Sequence, residues 1–148
     1  MPQHPKHANS HQYHQDPFAC PTASNPPTPY SLVAIKGQRG GYVQLAPAHP
    51  VTTYGDTSPE IFLAARDWAA RMETHIMGIA RMYWLTFSEV VPHFHIHLYP
   101  RYRADTLKGT ALFEAREEPV QPGWSPEQEA LLTAWCQQWG VFLLPHRQ

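Results

Sequence analysis

One segment of the chain carries residues whose types and spacing suggest chemistry: Pro92-His93-Phe94-His95-Ile96-His97-Leu98-Tyr99-Pro100-Arg101. Three histidines alternate with large apolar residues, and a β-strand turns successive side chains to opposite faces. In a helix, the histidines would instead spread over roughly 200° of the circumference. The pattern therefore predicts a strand. Its apolar residues face a core, and its three histidines and Tyr99 face a cavity or solvent.

Imidazole titrates near neutral pH, binds metal ions, and acts as a nucleophile or proton carrier. Besides a plain solvent-facing polar row, two interpretations are open. In the metal-site interpretation, a His-x-His pair supplies two ligands and His49 or Glu89 supplies a third. In the nucleophile interpretation, the middle imidazole attacks phosphorus while its neighbours donate to phosphate oxygens, and the adduct is then hydrolysed.

Composition limits the classes of protein to be considered. The chain has 148 residues, with 11 Lys and Arg against 12 Asp and Glu, which suits one domain and argues against a general nucleic-acid binder. Cys20 and Cys136 stand far apart, so two reduced thiols are a simpler expectation than one bridge. The sequence has no apolar run of about 20 residues and no signal-peptide pattern. We therefore expect a cytoplasmic protein without a membrane partner.

The first part of the chain differs in composition from the rest. Residues 1–29 hold seven of the 16 prolines and four of the ten histidines, with few bulky apolar side chains. Such a segment cannot bury enough apolar surface to offset the entropy of ordering. We expect residues 1–29 to form a flexible leader and residues 30–148 to form the folded domain.

The first half of that domain predicts a hairpin followed by a helix. Residues 30–36 and 42–46 have strand character, and glycines lie between them. Ser58-Pro59-Glu60 is typical of a helix start, and an apolar stripe at helical spacing runs from Ile61 to Ile79.

The second half predicts two more strands and a second helix. Residues 81–87 form a strand antiparallel to the histidine strand, with Trp84 and Phe87 in the core. A long loop follows, with room for a short element at 111–115. Ser125-Pro126-Glu127 then starts a helix that ends near Gly140. The apolar residues 141–145 pack either on their own sheet or against a partner subunit. The predicted fold is α+β, with an antiparallel sheet of about five strands and two helices.

The histidine segment, followed by Pro100-Arg101, resembles the His-φ-His-φ-His-φ-φ signature of the histidine triad superfamily, in which φ is apolar. Val90-Val91-Pro92 is similar to the lead-in of many bacterial members. The resemblance covers about residues 30–105. It implies a divergent bacterial-type member that is a homodimer and needs no metal or other cofactor. It also implies a nucleotide hydrolase or transferase acting at the α-phosphate of a nucleoside phosphoramidate or dinucleoside polyphosphate.

The same resemblance implies roles for the histidines. His95 would be the nucleophile that forms a nucleotidyl-histidine intermediate. His97 would contact a non-bridging phosphate oxygen, and His93 would orient and donate within the row. His49 lies near the family position of a histidine that would join the proton network.

Three further residues are candidates for substrate binding from their positions in the sequence. Ser88 precedes the row and offers a donor to the leaving group. Tyr99 shares the histidine face and would close the pocket. Arg101 follows the row and would meet a phosphate or the leaving group.

The chain also departs from the family pattern. Ser88-Glu89 stands where members often have Gly-Gln, and Val33-Ala34-Ile35-Lys36 lacks the usual ribose-binding acid. His49 falls one residue short of the usual Pro-x-x-His spacing, and the Cys-x-x-Cys of zinc-containing members is missing. Since a carboxylate near a phosphate repels it, a non-catalytic nucleotide- or phosphate-binding module stays open as an alternative, beside a metal-dependent enzyme.

Overall fold

The structure is a computed structural model that describes residues 29–35, 39–90, 92–114 and 123–144. The predicted leader, apart from Pro29, lies outside these ranges. The described strands are β1 (Tyr30–Ala34), β2 (Val43–Pro47), β3 (Ile79–Leu85), β4 (Ile96–Tyr102) and β5 (Phe142–Leu144). The described helices are α1 (Glu60–His75), α2 (Thr110–Glu114) and α3 (Pro126–Trp139), with one 3-10 turn at Tyr54–Asp56.

The five strands form one sheet in the order β3-β4-β2-β1-β5. The β1/β2, β2/β4 and β3/β4 pairs are antiparallel, whereas β5 runs parallel to β1. The predicted α+β class with five strands is confirmed, but the sheet is mixed. The sheet is mixed because the chain passes through α3 before β5. This connection is long enough to bring β5 alongside β1 in the parallel direction. Residues 142–144 therefore pack on their own sheet.

Helix α1 covers one face of the sheet. Ile61, Ala65, Trp68 and Met72 are almost fully buried there, as the apolar stripe predicts. The predicted stripe runs beyond the helix, because α1 ends at His75 and Ile79 begins β3. Gly78, with a φ of 89°, lets the chain reverse between the two elements.

Helix α3 has both ends that its sequence predicts. The Ser125 side chain accepts a hydrogen bond from the Gln128 backbone N–H, and the Gln128 side chain accepts one from the Ser125 N–H. This is a capping box. At the other end, Gly140 adopts a left-handed conformation with a φ of 66°. The third described helix, α2, lies within one residue of the short element predicted at 111–115.

The histidine strand starts later than its sequence suggests. Strand β4 begins at Ile96, which is paired with Leu45 of β2. Continuing that register would place Phe94 opposite Pro47, which has no N–H to donate to the ladder. The Phe94 N–H instead donates to the carbonyl of Val51 at 2.7 Å. The segment stays close to the sheet without being part of it.

The prediction that Phe87 belongs to the core is wrong, since 73% of it is exposed beyond the end of β3. Trp84 is 43% exposed and stacks on Phe62 of α1, with ring centroids 6.1 Å apart. Because β3 is an edge strand, α1 covers only part of that indole. Within the described residues, no helix combines the length and apolar character that crossing a bilayer requires.

Candidate active site

Alternation along the histidine segment separates a core face from an open face. Phe94, Ile96 and Leu98 are 2%, 0% and 0% exposed and pack beneath α1, as predicted. His95 and His97 point to the opposite face and are half-buried. A single short segment therefore anchors itself in the core and presents imidazoles on the other side.

Beside these imidazoles lies a cleft of about 650 Å³. Three pieces of chain form it: the second half of β2, the segment that follows β3, and the start of β4. It is lined by Gln44, Ala46, Phe87, Ser88, Glu89, Val90, His95 and His97. The cleft is large enough for part of a nucleotide-sized ligand.

His97 is held by Tyr42, which immediately precedes β2, and by Gln44 of β2. The Tyr42 hydroxyl lies 2.7 Å from its Nδ1, and the Gln44 Nε2 lies 3.1 Å from the same atom. Gln44 and His97 are cross-strand partners, so their side chains leave the sheet together. An amide nitrogen only donates, so Nδ1 of His97 is the acceptor and the ring proton lies on Nε2.

The surroundings keep His97 uncharged. Burial, followed by the charge of neighbouring His95, lowers the pKa of His97 to about 4. Burial also raises the pKa of the Tyr42 hydroxyl, which therefore keeps its proton. At neutral pH, His97 is a neutral ring with a hydrogen-bond donor at Nε2.

His95 has the opposite arrangement. Its Nδ1 lies 2.8 Å from the backbone carbonyl oxygen of His93. A carbonyl only accepts, so in the neutral ring the proton lies on Nδ1 and the lone pair lies on Nε2. The rings of His95 and His97 meet edge to face, with centroids 4.6 Å apart. Two adjacent imidazoles thus present a nucleophilic nitrogen and a donor nitrogen.

His93 contributes its backbone rather than its ring. Its side chain is exposed and does not line the cleft, while its carbonyl fixes the orientation of His95. This differs from the expectation that its imidazole would donate within the row. The difference follows from the late start of β4, which leaves residue 93 outside the sheet.

Of the four predicted substrate-binding residues, Ser88 lines the cleft. Its hydroxyl oxygen is buried without a hydrogen-bond partner among the described residues, and its φ is 54°. Tyr99 packs against Tyr42 and Phe113, with ring centroids 5.0 and 4.8 Å apart. Arg101 pairs with Arg81 farther along β4, and His49 lies two residues beyond β2. The structure does not bring Tyr99, Arg101 or His49 into the cleft lining.

Sequence reasoning missed Tyr42 and Gln44. Gln44 lies on β2 and Tyr42 immediately precedes it, in a Tyr42-Val43-Gln44-Leu45 pattern whose alternate residues Val43 and Leu45 are fully buried. The signal was the alternation of polar and apolar residues, which shows that β2 has an open face. What it does not show is which strand lies beside that face.

Among the described residues, no group of three His, Cys, Asp or Glu side chains is placed to hold a metal ion. Of the two residues expected as a third ligand, Glu89 lines the cleft with His95 and His97, whereas His49 does not. Cys136 is buried in the core, and Cys20 lies outside the described residues.

No protein-family model matches the chain. Comparison with solved structures shows the fold. A zinc-bound histidine triad family protein from Mycobacterium smegmatis matches with a TM-score of 0.54 and 16% identity, over 88% of this chain and 93% of that one. The C. elegans NitFhit protein matches with a TM-score of 0.50 and 20% identity, over 83% of this chain and 30% of that one. The chain has the histidine triad fold, as the sequence motif predicted.

Proposed function

We propose that this protein is a divergent histidine triad hydrolase or nucleotidyl transferase. It acts at the α-phosphate of a nucleoside phosphoramidate or dinucleoside polyphosphate. One observation carries the proposal: Nδ1 of His97 lies against the Gln44 amide nitrogen, and Nδ1 of His95 lies against the His93 carbonyl oxygen. These partners assign opposite tautomers to the two neutral rings. His95 offers a lone pair at Nε2, and His97 offers an N–H there. A nucleophile beside a donor is what displacement at a phosphate requires.

In the first step, Nε2 of His95 attacks the α-phosphorus and forms a phosphorus–nitrogen bond. The bond from phosphorus to the leaving group breaks, and a leaving amine takes up a proton from solvent through the open cleft. The Nδ1–H of His95 keeps its bond to the His93 carbonyl, which supports the positive charge developing on the ring. The Nε2–H of His97 stabilises charge on a non-bridging oxygen.

In the second step, water attacks the same phosphorus. The bond to His95 breaks, the nucleoside monophosphate leaves, and the proton lost by water passes to solvent. In a transferase, another acceptor replaces water. The buried Ser88 hydroxyl supplies a further donor for the phosphate or the leaving group, since it has no partner among the described residues.

The expected homodimer is part of this proposal. Residues 142–144 pair with β1, so they do not supply the partner surface that sequence suggested for them. The support comes instead from edge strand β3, where Trp84 is 43% exposed. Sedimentation velocity tests it: a concentration-independent monomer contradicts the dimer.

The decisive experiment compares His95→Ala with His75→Ala, a matched control on the exposed side of α1. The substrate is a fluorogenic adenylyl phosphoramidate. Removing the nucleophile should lower kcat by at least about 10⁴-fold, while the control keeps full activity. Rapid quenching and intact-mass measurement should show an adenylyl adduct on the unmodified chain that His95→Ala lacks. Equal activity of the two variants overturns the assignment.

Two alternatives give different results in the same assays. Stoichiometric zinc or iron in a chain without residues 1–29, lost on His95 substitution, would indicate a metal-dependent enzyme. Removing those residues matters because their four histidines are potential metal ligands outside the site. Calorimetric binding of AMP without turnover of any phosphoramidate would indicate a binding module.

A further inference from the structure

The cleft has an unusual distribution of charge for a nucleotide site. Among its lining residues in the described part of the chain there is one carboxylate, Glu89, and no lysine or arginine. Glu89 is exposed and makes no ion pair with another described residue. Arg101 lies four residues beyond His97, which is about 13 Å along an extended strand. The cleft therefore offers neutral donors and a negative charge.

Apolar side chains flank that carboxylate. Phe87 and Val90 line the cleft and are 73% and 98% exposed. All these groups lie on the segment that follows β3, beside the left-handed turn at Ser88. A group bound there meets an aromatic ring, a branched aliphatic side chain and a carboxylate. An apolar stem ending in a positive charge matches that combination.

Each substrate class places different charge next to Glu89. A nucleoside phosphoramidate is a monoanion at the reacting phosphate, and its leaving amine has no further phosphate. A dinucleoside polyphosphate adds charged phosphates on the leaving-group side, where no described lysine or arginine lines the cleft. The repulsion between these phosphates and the Glu89 carboxylate lowers the affinity for dinucleoside polyphosphates.

We propose that Glu89 is a specificity-determining residue and that the leaving group is an alkylamine carrying a second, positively charged group. This inference rests on the proposed function and narrows its substrate class. The reaction is the one given above: the phosphorus–nitrogen bond breaks, the leaving nitrogen takes up a proton, and water completes the nucleoside monophosphate.

Three adenosine 5′-phosphoramidates that differ at one end test the proposal. Their leaving amines are 1,5-diaminopentane, n-hexylamine and 6-aminohexanoate, so an ammonium, a methyl or a carboxylate follows the same stem. In the unmodified protein, kcat/KM should be highest for the ammonium and lowest for the carboxylate, with about a 5-fold change at each step. Raising the salt concentration should compress the series, because exposed charges are screened.

The matched variants are Glu89→Gln, which removes the charge at nearly constant shape, and Glu60→Gln in the first turn of α1. Glu89→Gln should bring the three kcat/KM values within about 2-fold and raise turnover of diadenosine tetraphosphate by about 5-fold. Glu60→Gln should leave the series unchanged. Turnover of all three probes with no charge preference overturns this inference alone, as does turnover of diadenosine tetraphosphate without turnover of any probe. No turnover of the probes or of diadenosine tetraphosphate overturns the proposed function with it.

Discussion

The hydroxyl of Tyr42, the residue before β2, lies 2.7 Å from Nδ1 of His97 on β4. The Gln44 amide nitrogen, which only donates, places the His97 proton on Nε2, and the Tyr42 hydroxyl then donates to the same Nδ1. Tyr42 is held in turn by Tyr99, whose ring lies edge to face against it at 5.0 Å. Tyr99 thus acts on His97 through Tyr42, without lining the cleft itself.

Removing the Tyr42 hydroxyl should affect the orientation of His97 rather than the binding of substrate. We expect Tyr42→Phe to lower kcat by about 3- to 10-fold with little change in KM, since one neutral hydrogen bond is lost and Gln44 still donates. Nitrogen NMR of the imidazole should show His97 shifting toward a mixture of tautomers. Tyr54→Phe, on an exposed tyrosine of the 3-10 turn, is the control. A changed KM with unaltered tautomer signals contradicts the positioning role.

Acidification should destabilise the protein partly through His97. Its pKa is about 4 in the fold, against 6.5 when unperturbed. Above pH 6.5 the ring is neutral in both the folded and the unfolded state, so His97 does not make stability depend on pH there. Between pH 6.5 and 4 the unfolded chain takes up the proton and the folded chain does not, so stability falls as pH falls. Below pH 4 the ring is protonated in both states, so the loss of stability due to His97 no longer changes with pH.

Thermal unfolding of the unmodified protein and of His97→Gln measures this effect. The fall in Tm between pH 6.5 and pH 4 should be shallower in His97→Gln, because its side chain does not titrate. All other histidines are the same in both proteins, so the comparison removes their contribution. Parallel Tm curves would show that His97 is not held in its neutral form.

His93 and His95 should respond differently to substitution although both belong to the same motif. His93→Ala keeps the backbone carbonyl that accepts from His95, so we expect kcat within about 10-fold of the unmodified protein. A ring acting as a general acid would contribute about 10²- to 10⁴-fold. Steady-state kinetics with the fluorogenic phosphoramidate measures the loss. A loss in that larger range would assign the His93 imidazole to the reaction.

The sequence predicts the local parts of this site better than their assembly. Period-two alternation correctly placed Phe94 and Ile96 in the core, because a strand admits only two faces. It does not predict that Tyr42 meets His97. That contact depends on the β2/β4 register, in which Val43 lies opposite Leu98, and those strands are about 50 residues apart in the chain.

The errors arose where a neighbouring element decides the outcome. Phe87 has the composition of a core residue, yet β3 is an edge strand and the chain leaves the sheet after Leu85. The start of β4 depends on Pro47, which lies far away in sequence and offers no N–H at the position opposite Phe94. Neither effect is visible in a local window.

Two substitutions of Ser88 separate the effect of its backbone strain from the effect of its hydroxyl. Its φ of 54° is left-handed, which costs a residue other than glycine about 1 kcal/mol, and its oxygen is buried without a described partner. Ser88→Gly relieves the strain and removes the hydroxyl, whereas Ser88→Ala removes only the hydroxyl. Both variants should therefore be at least as stable as the unmodified protein, with Ser88→Gly the more stable by about 1 kcal/mol.

The same two variants should lose activity to a similar degree. A hydroxyl that donates to a charged phosphate contributes about 1.5–3 kcal/mol, so we expect kcat/KM to fall about 10- to 100-fold in each. Chemical denaturation and steady-state kinetics on the pair measure the two effects independently. If Ser88→Ala kept full activity while Ser88→Gly lost it, loop rigidity rather than the hydroxyl would be the contribution of this residue.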